Sequence, residues 1–213
     1  MSLRLSRRRL LACAAAVLPV ARLAAAPAAP DPIRGLDILA PAEWRQLAAL
    51  VDCVWPHTDA MPSATEAGCL TFLSRRLAGQ LPGYNPRRSA PAPDALLTAY
   101  YRRVIARVDE LAQALRHQPF VALTDPDRRT VVARLAEGAR ADVGYNVVGL
   151  PTPATATDPQ LFAMVRRHVL EGYFSDPRSG GNDHYRAWEA IGHVCHSNYP
   201  RAHTCDPARK QHR

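Results

Sequence analysis

The feature that most constrains this fold is one long stretch, residues 94–117, in which apolar residues recur at helical spacing. Its apolar positions are Leu96, Leu97, Tyr100, Tyr101, Val104, Ile105, Val108, Leu111 and Leu115. Because residues three and four apart share one face of an α-helix, this stripe predicts a long amphipathic helix. Such a helix has to bury its apolar face against other elements, so it indicates a domain built on helix packing.

Shorter segments with the same spacing occur on both sides of this stretch, and they are expected to begin at Pro41, Thr65, Asp125 and Asp158. In the last two, an aspartate followed by proline is the expected N-cap. No stretch shows convincing strand alternation. We therefore expect an all-α fold: an irregular helical domain of about five or six helices with long Pro/Gly-rich loops, after an N-terminal signal segment.

Composition places the 213-residue chain among ordinary globular proteins, since 47% of it is apolar and 22% is charged. The formal net charge is +8, but five arginines lie in the first 26 residues, where there is no acid. The rest of the chain carries only +3, and it has no basic stripe with interleaved aromatic residues. These features argue against nucleic acid as a partner.

The first 26 residues have the form of an export leader, with a basic start, a short apolar run and small residues at its end. They resemble a twin-arginine signal peptide, whose motif is matched by Ser6, Arg7, Arg8, Leu10 and Leu11. A general secretory leader that is rich in arginine is the alternative. Either leader predicts a periplasmic protein, and the twin-arginine route carries proteins that are already folded.

The remainder divides into a linker, a body and a tail. Residues 27–40 form the linker, residues 41–194 the helical domain, and residues 195–213 a basic tail that contains cysteine and histidine. Within the body, "GQLPGYNPRRSAPAPD" (79–94) is rich in proline and glycine and is expected to be a long loop.

Ligand-type side chains are dense only near the C-terminus, at His184, His193, Cys195, His196, His203 and Cys205. In an oxidising compartment, cysteines are first interpreted as disulfides, and the candidate pairs are Cys195 with Cys205 and Cys53 with Cys69. Free thiols and a zinc site are the alternatives for the tail, although the spacing fits no standard zinc module. His168, on the apolar face of its segment, is either a core histidine or a ligand.

One late stretch, "EGYFSDPRSGGNDHYRAWEAIGHV" (171–194), combines two turns with a cluster of aromatic residues. It resembles the signature of the small subunit of membrane-bound gluconate 2-dehydrogenase and FAD-dependent sugar dehydrogenases. The matching residues are Glu171, Gly172, Tyr173, Phe174, Asp176, Pro177, Gly180, Gly181, Asn182, Trp188, Ile191 and Gly192. The chain departs from the signature at Ser179, where a tyrosine is common, and after Gly192, where an aromatic residue and a proline usually follow.

The resemblance implies an accessory role rather than a catalytic one. It implies no catalytic residue, cofactor or metal in this chain, a partner subunit that carries FAD and oxidises a sugar, sugar acid or polyol, and a possible third subunit that carries haem c. The complex would be associated with the membrane, and this chain would supply the export leader for the flavoprotein. The implied partner interface is Gly172, Tyr173, Phe174, Asp176, Pro177, Gly180, Gly181, Asn182 and Trp188.

Two other interpretations remain at this point. Phe174 and Trp188 could instead fill the helical core, or serve both purposes. The alternative function is a stand-alone periplasmic helical domain that binds metal through the Cys/His tail.

Overall fold

The computed structural model describes residues 38–81, 94–139 and 151–193. These contain six α-helices and no strand. The helices are α1 (Pro41–Val54), α2 (Cys69–Leu77), α3 (Ala95–Arg116), α4 (Asp125–Leu135), α5 (Asp158–Tyr173) and α6 (Arg186–Ala190). Single 3₁₀ turns lie at Phe120–Ala122, Pro177–Ser179 and Asp183–Tyr185. The predicted all-α fold is confirmed, whereas the leader, most of the linker and the tail lie outside the described residues.

The long helix α3 is the element that the sequence predicts best. The carboxylate of Asp94 caps its start by accepting a hydrogen bond from the backbone N–H of Leu97 at 2.9 Å. It ends at His117, which adopts the left-handed conformation with a φ of 56°. Of the nine apolar residues in the predicted stripe, only Leu96 and Leu115 are exposed. The other seven lie in a single core with residues of the other helices.

The helices α3 and α5 run antiparallel. Near the start of α3, the hydroxyl of Tyr101 lies 3.0 Å from Nδ1 of His168, which is close to the end of α5. Further along α3, Arg107 forms two hydrogen bonds with Asp158, the first residue of α5, at 2.8 and 2.9 Å. The end of α5, where the late motif begins, therefore lies at the N-terminal half of α3.

Two N-caps differ from the prediction by one residue. Thr124 and Thr157 are the N-caps of α4 and α5, and Asp125 and Asp158 are the first helical residues. Thr124 accepts a hydrogen bond from a backbone N–H of the first turn, and Thr157 forms a capping box with Gln160. The aspartates stay in the first turn, where the helix dipole favours a negative charge.

Helix α2 begins four residues later than predicted, at Cys69 rather than Thr65. The N-cap Gly68 has a φ of 84°, which interrupts a right-handed helix at this position. Upstream of it, the backbone N–H and hydroxyl of Thr65 donate to the two carboxylate oxygens of Asp52 on α1, at 2.8 and 2.6 Å. This tertiary contact holds residues 64–68 as turns.

None of the helices in the described ranges is long and apolar enough to cross a membrane.

Candidate functional site

The late motif begins with a carboxylate that joins two helices. Glu171, near the end of α5, accepts a hydrogen bond from Nη1 of Arg76 on α2 at 2.5 Å and one from Nε of Arg167 at 2.7 Å. Only 7% of the Arg76 side chain is exposed, so its charge needs a close counter-ion. Glu171 supplies that counter-ion and fixes the end of α5 against α2.

Three of the four glycines of the motif, Gly172, Gly180 and Gly181, lie where other parts of the chain leave no room for a side chain. A Cβ on Gly172 would lie 2.8 Å from the ring of Phe72 on α2, and one on Gly181 would lie 2.0 Å from the carbonyl oxygen of Gly172. Gly180 has a φ of 93°, and a Cβ there would lie 2.8 Å from Thr71. The turn after α5 is thus folded tightly onto α5 and α2.

Asn182 connects this turn to the short helix α6. It is fully buried and left-handed, with a φ of 48°. Its Oδ1 accepts hydrogen bonds from the backbone N–H groups of Ala187 and Trp188, at 2.9 and 3.4 Å. The next residue, Asp183, donates its backbone N–H to the carbonyl of Ala67 at 2.9 Å. These bonds place α6 beside the turn that precedes α2.

Tyr173 is a core residue. Its side chain is 0% exposed, its hydroxyl donates to the carbonyl of Pro62 at 2.8 Å, and its ring lies 4.7 Å from that of Trp55. Burial raises the pKa of Tyr173, so the phenol stays protonated. Gly172, Gly181 and Asn182 are also buried. Because these four predicted interface residues are buried, they offer a partner almost no contact area. They act by supporting the residues that form the surface.

The other predicted interface residues keep part of their surface exposed. Phe174 and Trp188 are half-buried, and the indole Nε1–H of Trp188 donates to the carbonyl of Phe174 at 3.1 Å. Asp176 and Pro177 are half-buried as well, and Asp176 accepts a hydrogen bond from the backbone N–H of Arg178 at 2.9 Å. Phe174 packs against the hydrophobic core and also reaches the surface, whereas Trp188 is half-buried outside the core cluster.

A second feature, which the sequence did not indicate, is an open cavity of about 420 Å³ between the end of α1, the connection to α2 and the start of α4. Its lining is mostly polar or ionisable and consists of Ala49, Asp52, Cys53, Pro56, His57, Ser63, Thr65, Glu66, Asp125, Arg128 and Arg129. Eight of these residues lie within residues 49–66 and three within residues 125–129, and the contact between these two segments is not visible in the sequence.

The ionisable groups of the cavity are mostly engaged within the chain. Burial raises the pKa of Asp52, although its hydrogen bonds from Thr65 act in the opposite direction. Burial also raises the pKa of Cys53 to about 11, so its thiol is protonated near neutral pH and is a weak nucleophile. The arrangement offers no group that is activated for nucleophilic attack.

His57 lies at the mouth of this cavity. Its Nδ1 is 2.8 Å from Oε2 of Glu66, and this hydrogen bond raises the pKa of His57. The pKa of Glu66 is lowered, chiefly by a hydrogen bond from the backbone N–H of Ser63 and secondly by His57. The hydrogen bond between His57 and Glu66 joins two points of the segment that connects α1 to α2. The Nδ1 atom of His57 is therefore engaged and is not available as a free base.

The predicted disulfide between Cys53 and Cys69 is absent, because both residues are free thiols. Cys53 faces the cavity, whereas Cys69 is fully buried and its thiol donates to the carbonyl of Val169 at 3.6 Å. Burial raises the pKa of Cys69 to about 12. The two side chains thus have different surroundings, and the predicted disulfide between Cys53 and Cys69 is wrong. Cys195 and Cys205 lie outside the described residues.

His168 is a core histidine. It is 1% exposed and pairs with Tyr101, and burial lowers its pKa well below the usual value. Within the described ranges, no group of three or more His, Cys, Asp or Glu side chains could hold a metal ion. The tail residues His196 and His203 are not among those described, and neither are the export-motif residues Ser6, Arg7, Arg8, Leu10 and Leu11.

Comparison with known proteins gives one match. The family model described as gluconate 2-dehydrogenase subunit 3 matches residues 41–194, which is most of the chain and includes the late motif. No curated protein and no solved structure matches the chain significantly.

Proposed function

Because the chain belongs to the gluconate 2-dehydrogenase subunit 3 family, we propose that it is the non-catalytic small subunit of an FAD-dependent dehydrogenase that acts on a sugar, sugar acid or polyol. In this proposal the chain binds the flavoprotein subunit and stabilises it. FAD belongs to the partner, and a cytochrome subunit with haem c is the candidate electron acceptor. The family match is the observation that carries the proposal.

The geometry of the late motif supports a structural role for this chain. Glu171, Gly181 and Asn182 form close contacts within the chain, and together they fix α5, α2 and α6. The cavity beside α1 contains a protonated thiol and carboxylates that already have partners. Both features suit a scaffold that presents a fixed surface better than they suit a site of chemistry.

We further propose that the chain and its partner are exported together to the periplasm. The twin-arginine motif at Arg7-Arg8 is typical of leaders that carry folded cargo. A flavoprotein that folds around FAD before export would need such a route. The complex would then associate with the membrane through its other subunits.

The test is a pull-down of the tagged chain from its native membrane fraction, followed by an absorbance spectrum. We expect a co-purifying larger subunit with flavin absorption, and haem bands if the cytochrome subunit is present. Recovery of the chain alone, without flavin, would contradict the proposal. Stoichiometric zinc in such a preparation would favour a metal-binding domain instead.

A further inference from the structure

The surface around α6 carries an unusual amount of backbone strain. Three of the four non-glycine residues with positive φ in the described ranges lie here: Asn182 (48°), His184 (52°) and Tyr185 (61°). Asparagine tolerates the left-handed conformation, but tyrosine, with its bulky side chain, adopts it at a cost. Strained backbone of this kind persists where the surrounding structure requires it, and it is concentrated at functional surfaces.

The strained segment leads into an exposed apolar surface. Ile191, just after α6, is 55% exposed and is the most exposed large apolar side chain among the described residues. The half-buried ring of Trp188 lies one turn earlier, with the ring of Tyr185 at 5.8 Å and that of His193 at 4.9 Å. We call the surface formed by Tyr185, Trp188, Ile191 and His193 the α6 face.

The α6 face is held in place by tertiary hydrogen bonds, although α6 itself has only five residues. A helix this short is not stable without tertiary contacts. Asn182 binds two of its backbone N–H groups, and the indole of Trp188 is hydrogen-bonded to the carbonyl of Phe174. The backbone of His193 also returns to the carbonyl of Trp188 at 2.8 Å. The chain thus uses the motif's buried residues to hold an apolar surface in a fixed, strained position.

We propose that the α6 face is the docking surface for the dehydrogenase subunit, with Trp188 and Ile191 at its centre. This inference rests on the proposed function, since the family to which the chain belongs is a subunit of a dehydrogenase complex. Aromatic residues such as tryptophan and tyrosine are enriched at the centre of protein interfaces. The buried part of the motif then acts indirectly, because it sets the position of this face.

The buried and exposed residues of the motif then have different roles. Buried residues such as Gly172, Gly181 and Asn182 offer a partner almost no contact area. They position Trp188 and Ile191, and the partner is expected to cover these two. The occupant is therefore a protein surface with an apolar centre that receives Ile191, rather than a small ligand.

The experiment compares Ile191→Arg with Leu115→Arg in the tagged full chain, expressed in its native host. Leu115 is 38% exposed on α3, and it lies 14 residues beyond Tyr101, about 21 Å along the helix. Because Tyr101 contacts α5 near its end, Leu115 is distant from the start of the motif. Both variants should keep the wild-type thermal melting temperature, since both side chains are exposed.

We expect Ile191→Arg to reduce the flavoprotein recovered per tagged chain at least tenfold, and Leu115→Arg to leave it unchanged. In a second measurement, a photo-crosslinking amino acid at position 191 should give an adduct with the dehydrogenase subunit, whereas one at position 115 should not. The second measurement also decides the case in which Ile191→Arg fails to fold.

The outcomes separate this inference from the proposed function. If the wild-type chain recovers no flavoprotein, the proposed function fails. If the wild-type chain and Ile191→Arg recover it equally, and position 191 forms no adduct, only the α6 face is excluded. An adduct at position 191 of twice the mass of this chain would assign the face to a second copy and overturn the inference.

Discussion

At the scale of single residues, Gly181 is the position where the fold has the least room for change. The backbone of the turn approaches α5 so closely that a Cβ on Gly181 would lie 2.0 Å from the carbonyl oxygen of Gly172. This contact is with backbone, which cannot rotate away as a flexible side chain can. We expect Gly181→Ala to reduce the free energy of unfolding by about 3 kcal/mol or more. Urea denaturation followed by circular dichroism would measure it.

Gly138→Ala is the matched control for this prediction. Gly138 has a φ of 81°, but no heavy atom lies within 4 Å of a Cβ built there. Its replacement should therefore cost only the left-handed strain, about 1 kcal/mol. If the two alanine variants lose the same stability, the close approach at Gly181 is not the dominant effect.

The buried histidine predicts a dependence of stability on pH. The pKa of His168 in the folded chain lies well below its unfolded value of about 6.5, first because of burial and then because of the positive charges of Arg76 and Arg167. Below about pH 6.5 the unfolded chain binds a proton that the folded chain does not. The free energy of unfolding should therefore fall by about 1.4 kcal/mol per pH unit between pH 6.5 and 5.

His168→Gln should flatten this dependence, because glutamine does not titrate and its amide retains a hydrogen-bonding group for Tyr101. His57→Gln is the control, and it should keep the slope or make it steeper. Because the pKa of His57 is raised in the folded chain, this residue contributes to folding stability at low pH. That stabilisation is present below the unfolded pKa and is lost as the pH rises through the folded pKa. An unchanged slope in His168→Gln would show that another group is responsible.

At the scale of elements, the contact between α2 and α5 depends on the ion pair of Arg76 with Glu171. The guanidinium of Arg76 is almost fully buried, so neutralising Glu171 weakens the electrostatic compensation of a buried positive charge. We expect Glu171→Gln to reduce the free energy of unfolding by about 2 kcal/mol. The measurement is the shift in the urea midpoint at constant m-value.

The exposed pair of Arg134, near the end of α4, with Glu137, just after that helix, supplies the comparison, since both side chains are more than half exposed. Water screens such a pair, and Glu137→Gln should cost less than about 0.5 kcal/mol. Equal effects of the two glutamine variants would mean that burial of Arg76 does not determine the strength of its pair.

The sequence was sufficient for those elements whose pattern is local. The apolar stripe of α3 lies within 24 residues, and both of its ends, Asp94 and His117, agree with the structure. Prediction from the sequence failed where a residue distant along the chain determines the local conformation. Asp52 on α1 holds Thr65 in a turn, so α2 begins only after Gly68. Helical propensity cannot show such a contact between segments that are separate in sequence.

The same limit applies to the motif. The sequence prediction assigned buried and exposed residues of 171–194 alike to the interface. Tyr173 is an aromatic residue of the kind found at interfaces, yet its position at the end of α5 directs it under Trp55. Ile191 is not in the predicted interface, although it is the most exposed large apolar residue described. Burial depends on how α6 folds back, which periodicity does not reveal.

At the scale of the whole molecule, the chain combines two proposed tasks in separate parts. In the proposal, the leader directs the protein to export and the helical body presents the α6 face. The two tasks are connected if the flavoprotein depends on this chain for its own export, because a docked partner then travels with the leader. In that arrangement the partner would leave the cytoplasm only when it is bound to this chain.

This connection gives a prediction about the leader. Replacing both motif arginines, Arg7→Lys with Arg8→Lys, should abolish export, because the twin-arginine route requires this pair while the charge of the leader is unchanged. The FAD-containing partner and its dehydrogenase activity should then remain in the cytoplasm together with this chain. The control, Arg4→Lys with Arg22→Lys, makes the same change outside the motif and should leave both subunits in the periplasm. Fractionation followed by immunoblotting and a flavin assay measures the distribution. Export of the partner without this chain would show that the partner has its own route, whereas export of this chain alone in the motif variant would assign its leader to the general secretory pathway.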